Sequence, residues 1–322
     1  LTLSVLRGEE GKQAAELDRL VEWLAEEEPD VVHLSNGLLL GLARRVKQEL
    51  GIPVVCSLQD EDQWVDAMPA QARERIWGCM GNRAEDVALF LPVSHVYAER
   101  MQKALRLPAD RVRVVYPGID MASRQPASPP AEPVIGYYAR LAESLGINLL
   151  VDAFLSLCTR PGLENLHLTL AGGMTADDAP NLQALRERLA GAGLADRVRI
   201  EEDFEPSRSA EILSSFTVLS VPVPAGEAFG LFVTEALSYG VPVVQPSCGA
   251  FREVLERTGG GILYDPAAPS SLADALASIL LNPTYREELA EEGRAGVRRH
   301  FGLNTTTIPA LLDAYGLAAA SS

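Results

Sequence analysis

Positive charge is scarce in this chain. Of 322 residues, 28 are lysine or arginine against 44 aspartate or glutamate, giving a net charge of −16 with neutral histidines. Such a balance offers no general attraction to nucleic acid or to an anionic membrane surface, although a local cradle can still hold a small anion. Cysteine is sparse as well. Cys56, Cys79, Cys158 and Cys248 stand far apart with no C-x-x-C pair, which argues against a disulfide framework or a thiolate zinc site and predicts reduced thiols in a cytoplasmic protein. No apolar run is long enough to span a bilayer, and no signal-peptide pattern is visible. Aromatics make up only 6%. What remains is a hydrophobic content of 47% over a length that suits two α/β domains of ordinary size.

Short apolar runs alternate with amphipathic stretches, the pattern of parallel sheets flanked by helices. Strands are predicted at 31–34, 54–58, 88–93 and 112–115, and helices at 16–28, 41–50, 70–86 and 96–104. Residues 121–133 hold four prolines (Pro126, Pro129, Pro130, Pro133) among Ser and Ala, and read as a linker between domains. Beyond it come predicted strands at 134–138, 166–170, 198–200, 218–223, 241–244 and 262–264. Helices are predicted at 147–157, 181–189, 207–215, 270–280, 285–300 and 306–315. The words Ala109-Asp110-Arg111-Val112-Arg113 and Ala195-Asp196-Arg197-Val198-Arg199 echo one another. Each opens a predicted strand, as in two similarly wound halves.

The stretch Pro224–Gly249 carries the chemistry. Between Glu227 and Arg252 the only charged residue is Glu235, set among Val233, Ala236 and Leu237. A carboxylate in such a run is costly unless something hydrogen-bonds it. A short helix is predicted from about Phe229-Gly230 to Gly240. Its free N–H groups and positive dipole end lie beside a glycine-containing loop, a ready anion site. An anion cradle flanked by two acidic residues suits a ligand with both phosphate and hydroxyl groups.

The spacing Glu227-x7-Glu235 within EAFGLFVTEALSYGVPVV, with Gly249 and Glu253 following in step, resembles the donor-site signature of the family-4 (group 1) retaining glycosyltransferases. The fold this implies is α/β, of the GT-B type: two Rossmann-like doubly wound domains facing across a cleft. On that reading residues 1–122 form the acceptor-side domain, 133–302 the donor domain, and 303–322 a C-terminal helix that packs back towards the first. The matched N-terminal segment begins near Pro29, and only Leu1–Glu28 precedes it. The first part of that domain is therefore expected to be missing.

The resemblance further implies a nucleotide-diphosphate sugar donor, UDP- or GDP-linked, and a carbohydrate, lipid or small-molecule acceptor, with no metal and no separate cofactor. Glu235 would accept hydrogen bonds from both ribose hydroxyls, and Glu227 would hold sugar hydroxyls near the reacting carbon. Ala228, Phe229, Gly230 and Leu231 would line the phosphate and sugar. Arg140 falls where the family keeps an arginine on the diphosphate; alone, it reads equally as a solvated arginine after a strand. Phe204 lines the base pocket or simply packs. Gln59 stands where the family ends a strand in histidine. His33 is a second possible contact from that domain or a satisfied strand-end histidine. Leu145 occupies the place of the family's second phosphate-binding cation, with Glu143 nearby. These departures leave open a catalytically silent relative that binds a nucleotide or sugar, or acts as a scaffold. A nucleotide-sugar epimerase fits the signature less well.

Overall fold

The computed structural model describes residues 1–202, 204–268 and 270–320; the last two residues of the expected 303–322 segment lie outside them. Two compact units emerge, one of Leu1–Pro117 with the segment from Thr307 on, the other of Gly118–Thr306.

In the first unit, strands β1 (Val32–Leu34), β2 (Val54–Leu58) and β3 (Leu89–Pro92) form a parallel sheet in sequential order. The β-branched run of β2 is almost wholly buried, as a central parallel strand requires. Helix Ala14–Glu27 turns Leu17, Val21 and Leu24 inward and stops where Glu28 adopts a left-handed φ of 47°. The C-terminal helix Ile308–Ala320 belongs to this unit. Its Ala314 and Ala318, flanked by Leu311 and Tyr315, pack on Val55, Leu89, Leu91 and Val115. Small residues on that helix let it approach the sheet closely.

The strand expected at 112–115 shrinks to a bridge between Val112 and Phe90, with the Arg113 and Val115 amides donating to Phe90 and Pro92 at 2.9 and 3.1 Å. Pro117 has no N–H to carry the ladder further. The helix expected at 41–50 starts as a 3₁₀ turn at Gly37–Leu42 and ends as a π-helical turn at Val46–Leu50.

The second unit holds β4 (Val134–Tyr138), β5 (His167–Gly172), β6 (Val198–Glu202), β7 (Val218–Leu219), β8 (Val243–Pro246) and β9 (Gly261–Tyr264). All are parallel, in the order β6-β5-β4-β7-β8-β9. The order reverses between β4 and β7. At such a switch point, beyond the strand carboxyl ends, open α/β sheets bind ligands. Strand β7 is shorter than the predicted 218–223, because the Val223 amide turns back to the Val221 carbonyl at 2.8 Å. Strand β8 starts two residues later than expected, because the Val241 amide still donates to Ala236 at 3.1 Å and closes the preceding helix. The echoed words do form equivalent structures. Ala109–Arg111 and Ala195–Arg197 are both 3₁₀ turns that release Val112 and Val198 at φ −126° and −120°.

The boundary differs from the sequence reading. It falls at Pro117/Gly118, not in the proline-rich 121–133 stretch. The chain from Ile119 onward is fastened to the second unit: Ile119 N donates to Phe301 O at 2.7 Å, and Ala127 N donates to Tyr239 O at 2.7 Å. Each tie satisfies a backbone donor, and a free linker would leave those groups to water.

Candidate functional site

Beside the switch point two loops come into close contact. After β7 the chain reaches Gly226 at φ +75°; after β8 it reaches Gly249 at φ +55°. A Cβ on Gly226 would lie 2.6 Å from the Gly249 nitrogen, and one on Gly249 would lie 2.6 Å from the Glu227 nitrogen. Only glycine permits both the left-handed backbone and this approach. The Ala250 amide donates to the Glu227 carbonyl at 3.0 Å, fastening the loops together.

Glu227 leads into helix Leu231–Ser238. Gly230 caps it at φ 79° in space that a Cβ could not share with Phe251, 2.6 Å away. The helix starts and ends close to the sequence prediction. Within its first turn the Val233 amide donates back to the Gly230 carbonyl at 2.9 Å. Ala228 and Phe229 are 6% and 4% exposed, and the Phe229 ring meets Phe301 edge-on at 5.5 Å. Their side chains are therefore part of the core. Leu231, by contrast, is 44% exposed.

Arg140 follows β4. Its Nε lies 3.7 Å from Asp178 Oδ2. That carboxylate accepts from the Thr175 amide and hydroxyl, both at 2.8 Å, which hold it below the usual range, with Arg140 adding to the effect. Buried Tyr137 donates to the Arg140 carbonyl at 2.7 Å and pins the turn. Its phenol is pushed up by burial, with Arg140 opposing and Glu227 and Asp178 contributing. Arg140 and Glu227 thus act on one buried phenol.

Tyr138, the next residue on β4, reaches a different set of groups. Its hydroxyl donates to Ser209 Oγ at 2.7 Å, and Phe204 lies 5.5 Å from its ring. Burial raises this phenol, and Glu235, Arg124 and Tyr239 act on it as well. Phe204 therefore packs beside the tyrosine whose phenol also feels the Glu235 charge.

Arg124 is the residue that sequence reasoning missed. Its Nη2 stands 3.7 Å from Glu235 Oε1, with the two side chains only 18% and 22% exposed. Its Nη1 donates to Ser238 Oγ at 2.9 Å, and its guanidinium lies 4.9 Å from the centre of the Tyr239 ring. Burial pushes the Glu235 carboxyl above its ordinary value, and Arg124 opposes that push. An isolated buried carboxylate did signal a missing cation, but the proline-rich surroundings of Arg124 masked its source.

Leu145 ends a 3₁₀ turn, Glu143–Leu145, before Gly146 at φ 80°. It is half-buried, and Glu143 is exposed.

Within the first unit, His33 is committed at both nitrogens: Nδ1 to Tyr315 Oη at 2.7 Å and Nε2 to Ser57 Oγ at 2.9 Å. Burial lowers its pKa. It ties β1, β2 and the C-terminal helix together. Gln59 donates from Nε2 to the Ser35 carbonyl at 3.1 Å. Beside it Glu61, 2% exposed, accepts from the Gly37 and Gln59 amides and from the Tyr97 hydroxyl, each at 2.7 Å. Asp60-Glu61-Asp62 has the D-x-D spacing of some metal loops, yet Asp62 is taken by Tyr97 and Arg100 at 2.9 and 2.8 Å. Among the described residues, no group of three His, Cys, Asp or Glu side chains is placed to hold a metal ion, and no helix is long and apolar enough to cross a membrane.

Residues 119–296 match the sequence pattern of glycosyl transferases group 1, and residues 5–123 that of glycosyltransferase family 4. The chain is 31% identical over 238 residues to the D-inositol 3-phosphate glycosyltransferase of Xylanimonas cellulosilytica, covering 69% of this chain and 55% of that one. It thus spans little more than half of that curated relative's length. Sucrose-phosphate synthase from Thermosynechococcus elongatus has a similar fold, with TM-score 0.79 and 21% identity over 97% of this chain and 80% of that one. Anabaena HepE in complex with UDP aligns with TM-score 0.78 and 19% identity over 94% of this chain and 83% of that one. Identities this low establish the fold alone, an α/β fold of the GT-B class.

Proposed function

The chain belongs to the glycosyl transferases of group 1, and from that premise we propose that it transfers a sugar from a nucleotide-diphosphate sugar to an acceptor hydroxyl. One observation carries the reading. Glu227 before helix Leu231–Ser238 and Glu235 within it lie beside the sheet's switch point, with the positive end of that helix between them. Glu235 accepts the ribose hydroxyls and Glu227 the sugar hydroxyls. Arg140, once turned from Asp178, binds the diphosphate. The cationic side chain and the helix end offset the charge that grows on the departing phosphate. The acceptor hydroxyl attacks from the face the phosphate leaves, with a phosphate oxygen taking its proton, and the anomeric configuration is kept.

The UDP bound by HepE and the name of the Xylanimonas relative suggest the first compounds to try, UDP-sugars with D-inositol 3-phosphate. The test is an incubation of the chain with UDP- or GDP-linked hexoses and that acceptor, with the product's anomeric coupling read by NMR. An α-linked product from an α-linked donor supports the proposal. An inverted product contradicts retention.

Leu145 favours a second reading, in which the nucleotide binds without transfer. The half-buried side chain contributes no positive charge to a leaving group. Binding of UDP with no product from any donor would select it.

A further inference from the structure

We propose that Arg124 is a positioning residue for the nucleoside: its guanidinium holds the Glu235 carboxylate in the orientation from which that carboxylate accepts two ribose hydroxyls. The inference rests on the donor reading above and adds to it a residue from outside the helix and its loops.

The geometry is that of a clamp. The Arg124 guanidinium lies over the Tyr239 ring at 4.9 Å, which fixes its plane. One edge is used by Ser238 Oγ at 2.9 Å, and that hydroxyl in turn donates to the Glu235 carbonyl at 2.6 Å. The remaining Nη2 faces Glu235 Oε1 at 3.7 Å. That separation gives Coulomb attraction without a tight hydrogen bond, so acceptor positions on the carboxylate stay available to a diol. A cation in direct bidentate contact would occupy them.

The backbone behind Arg124 is held as firmly. Its carbonyl accepts from Arg294 Nη2 at 2.5 Å, and three residues on, the Ala127 amide donates to Tyr239 O at 2.7 Å. The proline-rich stretch is therefore a strap across the helix that carries Glu235. Each proline limits the alternatives open to that strap. The strap carries one cationic side chain, and that side chain goes to the one charged residue in the apolar run.

An ion pair that merely stabilises the fold would show the same contacts. A double-mutant cycle separates the two roles, because a residue acting through Glu235 loses its effect once Glu235 is neutralised. The affinities of UDP and GDP are measured calorimetrically for the wild-type chain, Arg124→Gln, Arg124→Lys, Glu235→Gln and the Arg124→Gln/Glu235→Gln double variant, with thermal unfolding recorded for each. Arg124→Gln is expected to weaken the bound nucleotide about tenfold, and Arg124→Lys to recover most of that loss. In the Glu235→Gln background the same change is expected to cost less than about twofold. An equal loss in both backgrounds overturns the proposal, as does an unchanged affinity in Arg124→Gln. If Arg124→Gln fails to fold, Arg124→Lys decides: wild-type unfolding with affinity within about threefold of wild type supports the clamp, and a full tenfold loss overturns it. A wild-type chain that binds neither nucleotide overturns the donor reading itself, a result distinct from each of these.

Discussion

The Ala250 amide donates to the Glu227 carbonyl at 3.0 Å and ties the Glu227 loop to the loop after β8. Gly249 makes the approach possible, since a Cβ there would lie 2.6 Å from the Glu227 nitrogen and 2.8 Å from its oxygen. Gly249→Ala must push the Glu227 loop away. Displacement of a positioning group by about 1 Å can cost on the order of 100-fold in rate. Steady-state assays of the variant should show kcat reduced by at least about tenfold, with UDP affinity changed far less because Glu235 sits on the helix. Equal losses in both would mean that the two glutamates are not positioned independently.

Leu145 is half-buried one residue before Gly146. Leu145→Lys restores a cation where the family pattern has one. The expected result is UDP binding tighter by about tenfold with uridine binding unchanged, since the new charge acts on phosphate alone. Calorimetry with both ligands checks this. Parallel gains for uridine and UDP would contradict a phosphate contact.

Glu235 has its carboxyl raised by burial, with Arg124 opposing. A raised carboxyl contributes stability below its unfolded pKa, and that contribution is lost as pH climbs through the folded value. Glu235→Gln removes this dependence. Its melting temperature should therefore rise relative to wild type between about pH 4 and pH 7. A relative fall over that range would mean that the Arg124 attraction outweighs burial.

Glu61 accepts three donors at 2.7 Å from a position 2% exposed. In Glu61→Gln the amide nitrogen must face at least one of those donors. The cost should be about 2–3 kcal/mol, as for a buried donor left unpaired. Urea unfolding of the full chain, followed by Trp fluorescence, measures it. A change under about 0.5 kcal/mol would place the carboxylate outside this network.

Much of this was legible in the sequence wherever local pattern decides structure. Strand Val54–Leu58, strand Val134–Tyr138 and helix Ile147–Leu157 lie where their apolar patterns place them. Gly230 and Gly240 bracket the Glu235 helix as caps do. The failures came from partners far along the chain. Residues 121–133 look like a linker because prolines and small residues dominate; they become a strap through Tyr239 and Arg294. Arg124 could be seen as a partner for Glu235 only once those ties were known. Helix Phe251–Thr258, absent from the sequence reading, does carry a signal. Its buried Phe251, Val254, Leu255 and Thr258 recur at helical spacing over only two turns, too short to stand out beside a glycine loop.

The central claim is that the Glu227–Glu235 segment is a nucleotide site, and titration calorimetry of UDP and GDP against the wild-type chain and Glu235→Ala tests it most directly. The account predicts micromolar binding of one nucleotide, weakened by at least about tenfold in the variant. No heat of binding for either nucleotide at millimolar concentration would contradict it, as would equal affinity in wild type and variant.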